Sequence, residues 1–164
     1  MTCKIIPFNV EHIQQTFLWV QDLELRRLFL MRGEVTWEGH QNYFRKVLSN
    51  PSQKVYAIFA DGRHVGNCGF KNMSTSKVEA EIWIYIGEPL ERRHGVGRFA
   101  TQLLIKEGFE TLGLKSLYLH VADFNSAARK MYKNLGFIEV PLSGEAKDWQ
   151  NRGCRIIRME LKKT

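Results

Sequence analysis

Residues 92–98 read Arg92-Arg93-His94-Gly95-Val96-Gly97-Arg98, and a second stretch reads Asn125-Ser126-Ala127-Ala128-Arg129-Lys130-Met131-Tyr132-Lys133-Asn134-Leu135-Gly136-Phe137. The first follows a strand-like run over 78–86 and opens a helical pattern from Gly97 to Leu112, with Phe99, Ala100, Leu103 and Leu104 gathered on one face. In the second, Asn125 caps a helix whose Ala128, Met131, Tyr132 and Leu135 share a face, and Gly136 ends it. Between them Ser116 to Ala122 reads as a strand, and Phe137 to Val140 and Cys154 to Leu161 read as two more. This half of the chain is therefore a strand, helix, strand, helix, strand series.

Working back toward the N-terminus, Lys54 to Ala60 and His64 to Phe70 are strands joined by Asp61-Gly62, a strong short-range hairpin signal. The run Val78 to Ile86 extends them into a meander. Thr36 caps a helix from Trp37 to Leu48, Glu11 to Leu30 is helical with a break at Gln21-Asp22, and Thr2 to Pro7 is a short strand. Antiparallel strands first and alternating strands and helices later give an α+β, or mixed α/β, domain. With 164 residues, no internal repeat, and prolines and glycines scattered rather than gathered in a linker, residues 1–164 read as a single domain.

Composition narrows the function classes. The chain is 44% hydrophobic and 25% charged, close to the globular average, which excludes disorder and low complexity. Its longest apolar run is the six residues from Val55 to Ala60, against the ~18 or more that span a bilayer, and the N-terminal residues lack a signal-peptide pattern, so a cytoplasmic location without a membrane partner is expected. Three cysteines, Cys3, Cys68 and Cys154, are too few and too far apart for a disulfide framework or a CxxC metal site. The histidines His12, His40, His64, His94 and His120 show no metal-ligand spacing and read as surface or packing residues, so no metal is expected; His94 alone is placed to touch phosphate. A net charge of +7 attracts polyanions, whether nucleic acid, an anionic cofactor or a nucleotide.

The chemistry of 92–98 is that of an anion site. Glycines let a ligand approach the backbone, the first N–H groups of a helix have no internal acceptor, and the helix dipole is positive there. Arg92, Arg93 and Arg98 add charge-assisted donors. The segment Gly95 to Ala100 also fits a dinucleotide fingerprint, but eight residues separate Ile86 from Gly95, the preceding strand carries Glu79 and Glu81, and too little chain follows to build that fold. Alternation on the same strand places Glu79, Glu81, Trp83 and Tyr85 on one face and Val78, Ala80, Ile82, Ile84 and Ile86 on the other.

The two stretches together resemble the signatures of the GNAT N-acetyltransferases: Arg92-x-x-Gly95-x-Gly97 is similar to that family's acetyl-coenzyme-A-binding motif, and 125–137 to its second signature of Asn, helix, Tyr and Gly-Phe. The resemblance implies a three-layer fold, a central, mostly antiparallel splayed sheet of six to seven strands flanked by about four helices. The strands over 78–86 and 116–122 would part to admit pantetheine. Acetyl-CoA would then be the cosubstrate, held by Ile84, Ile86, Arg92, Arg93, His94, Gly95, Val96, Gly97, Arg98, Asn125 and Tyr132, and a primary amine would attack the thioester directly. Tyr132 resembles the tyrosine that protonates the departing thiolate, and Glu81 the glutamate that takes a proton beside the acceptor amine. A core tyrosine and a cross-strand ion pair are the alternative readings of those two residues.

Trp19, Leu25-Arg26, Trp37-Glu38, His40 and Tyr43-Phe44 are similar to the N-terminal region of bacterial nucleotide-amino-sugar N-acetyltransferases, although Val20-Gln21 stands where Arg-Asn is expected. That implies a small-molecule amine as partner, a nucleotide-linked amino sugar, with Arg26, Trp37, Glu79 and Trp83 as substrate contacts and a homodimer as an open assembly. Acetylation of a protein N-terminus or of a polyamine is the alternative within the same chemistry. A basic nucleic-acid-binding module is the alternative outside it, and it lacks the interleaved aromatic and basic residues of such surfaces, so nucleic acid is not expected as a partner.

Overall fold

In a computed structural model, which describes residues 1–76, 78–142 and 153–164, the chain forms a seven-stranded sheet between two helical layers. The strands are β1 (Cys3–Pro7), β2 (Lys54–Ala60), β3 (Arg63–Ser74), β4 (Glu79–Ile86), β5 (Ser116–Ala122), β6 (Ile138–Val140) and β7 (Ile156–Lys162). Their order across the sheet is β1-β2-β3-β4-β5-β7-β6, antiparallel throughout except where β4 meets β5. Five α-helices accompany them: α1 (Ile13–Trp19), α2 (Leu23–Leu28), α3 (Trp37–Ser49), α4 (Val96–Lys106) and α5 (Ser126–Asn134). Two N-caps expected from the sequence are in place, Thr36 Oγ1 accepting from Gly39 N–H and Asn125 Oδ1 from Ala128 N–H. Asp22 Oδ1 accepts from Glu24 N–H and so starts α2 at the expected break. The β2–β3 turn puts Asp61 and Gly62 at φ 49° and 79°, the left-handed region that this dipeptide tolerates best.

Several boundaries differ from the sequence reading, among them the end of β3 at Ser74 rather than Phe70 and the start of β7 at Ile156 rather than Cys154, and two have a local cause. The strand expected to begin at Val78 begins at Glu79, because Val78 sits at φ 53° and its carbonyl is taken by Lys115 N–H. The helix expected to run from Gly97 to Leu112 changes at Glu107 into a π turn over Glu107–Thr111. Gly108 rides there so close to Phe70 that a Cβ would lie 3.0 Å from its ring.

Alternation divides the sheet as expected. Ala80, Ile82 and Ile84 of β4, with Leu117, Leu119 and Val121 of β5, join Val96, Ala100 and Leu104 of α4 and Tyr132 and Phe137 in the main core. On the opposite face α3 covers β2, with Phe44 and Val47 on Val55 and Ala57, while Tyr85 of β4 is buried with Trp19 and Leu25. Gly87 is the hinge of that second layer. A Cβ on it would come within 2.0 Å of the Trp19 ring, so the indole lies directly on the backbone at the end of β4. Gly87→Ala is expected to destabilise the protein by about 1–3 kcal/mol through overpacking. Thermal unfolding monitored by tryptophan fluorescence checks this, since displacement of Trp19 also shifts the emission.

Candidate active site

The geometry of the site follows from how β4 leaves β5. The two strands pair in parallel only at Glu79↔Ser116, Ala80↔Leu117 and Glu81↔Tyr118. β4 continues to Ile86 and β5 to Ala122, but the ladder between them stops after Glu81 and Tyr118. A wedge therefore opens between 82–86 and 119–122. Ile84 and Ile86 border it on the α4/α5 face, and Trp83 and Tyr85 on the α1/α2 face.

The α4 N-terminus stands over that wedge. Gly95, at φ 86°, is its N-cap, and the first N–H bonded back within the turn is that of Phe99, onto the Gly95 carbonyl. The N–H groups of Val96, Gly97 and Arg98 therefore precede the first intrahelical bond, which makes an anion cradle. Arg93, itself left-handed at φ 67°, His94 and Arg98 are exposed around it. An ideal Cβ on Gly97 would meet only Met131 Sδ at 3.8 Å and Ile86 Cγ1 at 3.9 Å. The fold has room for a side chain at Gly97, so what glycine preserves there is space outside the protein, beside the cradle.

Arg92 behaves differently from the expectation that it adds a guanidinium to this cradle. Its side chain turns back into the fold: Nε donates to the Ile86 carbonyl at 2.9 Å, and Nη2 donates to the Gly87 carbonyl at 3.2 Å and to Asp22 Oδ2 at 3.0 Å. Burial raises the Asp22 carboxyl, but the Arg92 hydrogen bond and the α2 N–H groups outweigh it and hold Asp22 below the usual carboxylate range. Arg92 thus fastens the end of β4 to the cap of α2, and the side chains left to meet an anion are Arg93, His94 and Arg98.

Tyr132 of α5 is buried in the main core, which also takes in Ile84 of β4 and Leu119 and Val121 of β5. Gly136, at φ 101°, ends that helix, Phe137 N–H donates to the Tyr132 carbonyl, and the Phe137 ring packs edge-on against Tyr132 at 5.6 Å. The last three residues of the second sequence signature therefore fix the tyrosine. Its hydroxyl makes no hydrogen bond among the described residues, and burial raises its pKa, so it remains protonated well above neutrality. Asn125 serves as the α5 cap through Ala128.

Glu81 occupies the apex, at the last paired position. Its Oε1 accepts from Asn72 Nδ2 at 3.2 Å, and its Oε2 meets His120 Nδ1 at 3.1 Å and Lys71 Nζ at 3.5 Å. Burial pushes this carboxyl up, yet the His120 hydrogen bond, the Lys71 charge and Asn72 together leave it below the usual carboxylate range. A carboxylate so held is a poor proton acceptor and a firm anchor. His120, which reads from sequence as a packing or surface residue, is thereby brought to the apex of the wedge; alternation along β5, which puts Tyr118 and His120 on one face, is a sequence signal that could have found it.

The four expected substrate contacts separate. Trp83 lies at the wedge, stacked on Tyr85 with centroids 5.9 Å apart, and Phe29 meets Tyr85 edge-on, giving the α2 side an aromatic wall. Glu79 is at the closed end, paired in register with Ser74 and Ser116. Arg26 spends its guanidinium on the backbone carbonyls of Val20 and Gly33. Trp37 packs on Phe17 and lines a separate groove of about 550 Å³ with Val10, Gln14, Arg45 and Leu48, between α1 and α3. Local periodicity carried no information about either of the last two placements.

Comparison with known proteins bears on this arrangement directly. The model of the acetyltransferase (GNAT) domain matches residues 4–138. This chain belongs to the GNAT family. It is therefore an N-acetyltransferase. Among curated relatives, the acetyltransferase PseH of Campylobacter jejuni is 26% identical over 129 residues, covering 79% of this chain and 78% of that protein. An N-acetyltransferase 9-like protein of Caenorhabditis elegans is 22% identical, covering 90% and 80%. Among solved structures, a spermidine N-acetyltransferase of Vibrio cholerae in complex with CoA and spermine superimposes with a TM-score of 0.86 at 17% identity, covering 98% of this chain and 95% of that one. The C. jejuni PseH structure gives a TM-score of 0.71 at 21% identity, with 99% of each chain covered. The mixed α/β architecture expected from the sequence is the one these GNAT structures share. No helix among the described residues is long and apolar enough to cross a membrane.

Proposed function

We propose that this GNAT enzyme transfers the acetyl group of acetyl-CoA to the primary amine of a nucleotide-linked amino sugar. The observation that carries the acetyl-CoA assignment is the ending of the β4–β5 ladder at Glu81 and Tyr118, which leaves the β4 edge unpaired up to Ile86, the residue beside which Gly97 of the α4 N-terminus lies. The cradle suits a pyrophosphate, with Arg93, His94 and Arg98 as flanking donors. The open edges over 82–86 and 119–122 suit an extended, amide-bearing arm, and Ile84 and Ile86 supply its apolar contacts. The thioester supplies the acetyl group, and Tyr132, protonated and without a hydrogen-bonding partner among the described residues, is the donor for the thiolate.

With the cosubstrate on the α4/α5 face, the acceptor approaches from the α1/α2 face. That side presents Trp83, Tyr85 and Phe29 around a carboxylate already matched by Lys71 and His120. Aromatic faces suit the C–H faces of a sugar ring. A polyamine needs uncommitted acidic charge, and here Glu81 and Asp22 are both engaged by cations. The relation to the acetyltransferase PseH of C. jejuni supports acetyl transfer. The test is thiol release from acetyl-CoA across a panel of UDP-amino sugars, spermidine and N-terminal peptides. Highest kcat/KM on an amino sugar is expected; fastest turnover of spermidine or of a peptide overturns the acceptor assignment while leaving the transferase intact.

A further inference from the structure

We infer that His12 and His64 form an acid-sensitive latch, which seats α1 against the aromatic side of the wedge while both rings are neutral and loosens it when they take up protons. The device is independent of which amine accepts the acetyl group. The two imidazoles come from distant parts of the chain, the turn Val10–His12 ahead of α1 and the start of β3, and their ring centroids lie 4.9 Å apart. His12 is buried and His64 half-buried, and aromatic rings enclose both. Phe8 and Phe59 pack on His12, and Phe59 and Trp19 on His64. No carboxylate lies within ion-pair distance of either ring among the described residues, so a proton on either is a charge without a counterion in largely apolar surroundings.

The hydrogen bonds show why the neutral rings fit and the charged ones do not. His12 Nδ1 accepts from Asn9 N–H at 3.1 Å, while Asn9 Oδ1 accepts from Glu11 N–H. In such a reciprocal cap the residue three after the Asn is ordinarily Glu or Gln, whose oxygen is still an acceptor in mild acid. Histidine differs, because protonation turns Nδ1 into a donor facing a donor. From the same residue a chain of bonds runs into the sheet. Thr16 Oγ1 donates to the His12 carbonyl at 2.8 Å and so accepts from Asn67 Nδ2 at 2.9 Å, and the same nitrogen donates to the Tyr85 hydroxyl at 2.8 Å. That orientation turns Asn67 Oδ1 toward His64 Nε2, 2.8 Å away, which therefore carries a hydrogen. Both rings are thus joined to Tyr85 of the aromatic wall, and Trp19, 4.7 Å from His64, covers Gly87 at the end of β4. A loosened α1 reaches both places.

The surroundings set the sign. Burial lowers the pKa of His12, and the charge of Glu11 on the same turn offsets this only in part. Burial lowers His64 too; the Asn67 bond and the Gly66 backbone oppose it, and a charge on His12 lowers it further. The other charged or titratable groups on the elements around the pair are Lys4 of β1, 5.9 Å above the Phe59 ring, Arg63 paired with Glu91, Asp61 bonded to Thr2 N–H, and Tyr85, which burial keeps protonated. The two carboxylates among them are already engaged. Since both rings are depressed in the folded state, their contribution to stability is fully present above the ~6.5 of free imidazole and is lost as pH falls from there toward the folded-state values.

The test is amide hydrogen exchange by NMR on the full chain without added ligand between pH ~6.5 and ~5, above most of the titration of ordinary carboxylates. Protection factors at 13–20 are expected to fall by up to ~10-fold per pH unit for each ring that gains its proton on opening, while those at 100–106 in α4 hold. In the double variant His12→Gln with His64→Gln, the first amide still accepts from Asn9, the second still offers a donor to Asn67, and neither titrates. Protection of α1 should there be independent of pH. Protection that stays constant in the wild type, or falls as steeply in the double variant, overturns the inference. Should the double variant not fold, the ring titrations of His12 and His64 in the wild type decide: midpoints below ~6.5 support the latch, and midpoints at or above it overturn it.

Discussion

Gly97→Glu is expected to abolish acetyl-CoA binding while leaving the protein folded. The two halves of that expectation have separate causes. A Cβ at Gly97 meets its nearest neighbours at 3.8 and 3.9 Å, ordinary contact distances, and the backbone there is regular helix, so the fold accepts a side chain. An acidic residue in the first turn of a helix even favours it by about 0.3–1 kcal/mol. The same carboxylate, set among the N–H groups of Val96, Gly97 and Arg98, occupies the anion cradle and repels a pyrophosphate. Like charges brought together at an interface cost several kcal/mol, so the loss in affinity should exceed ~10²-fold. Calorimetric titration with CoA, together with a thermal midpoint no lower than wild type, checks both halves. Unchanged affinity in a folded variant places the phosphates elsewhere.

The second large effect belongs to Tyr132→Phe. The hydroxyl makes no hydrogen bond among the described residues, so its removal should change stability little, whereas a proton donor to the thiolate contributes typically ~10²–10⁴-fold in rate. kcat is expected to fall by that amount with CoA affinity preserved. Because burial raises the Tyr132 pKa, the wild-type enzyme should show no loss of rate from this group as pH rises through neutrality. A kcat within about twofold of wild type would leave Tyr132 a core residue that packs on Phe137.

The features that were legible in the sequence are those whose cause is local. The Asp61-Gly62 turn, the Thr36 and Asn125 caps, the break at Asp22, the stop at Gly136 and the alternation along β4 each depend on residues within a few positions, and each appears as read. The loop and helix of 92–98 were legible for the same reason, since free N–H groups and a dipole belong to any helix start. What the sequence concealed was where side chains turn. Arg92 was read as a phosphate ligand, but its partner Asp22 lies seventy residues earlier. Arg26 was read as a substrate contact and instead ties two backbone carbonyls together, and Trp37 lies over a different groove. Glu81 shows both sides of this. Its face followed from alternation, but its neutralisation by Lys71 and His120 depends on a bulged β3 and on β5, which no local pattern joins to β4. The spacing of His120 along the chain carries no sign of the Glu81 carboxylate, which meets it from another strand.

The dependence of β4 and β5 on each other also explains why the site lies where it does. A ladder that ended at the strand termini would leave no open backbone edge, and one that ended earlier would separate Glu81 from His120. Arg92, bonded to the carbonyls of Ile86 and Gly87, holds the free end of β4 in position, and Trp19 covers it where Gly87 has no side chain.

The central claim, that acetyl-CoA lies between the α4 N-terminus and the open edges of β4 and β5, is tested most directly by mapping amide chemical shifts of the protein as CoA is added. The largest changes are predicted at Arg93 to Arg98, at 82–86 and at 119–122, with little change in the groove of Val10, Trp37 and Arg45. Changes concentrated in that groove, or spread without preference while 93–98 stay still, would contradict it.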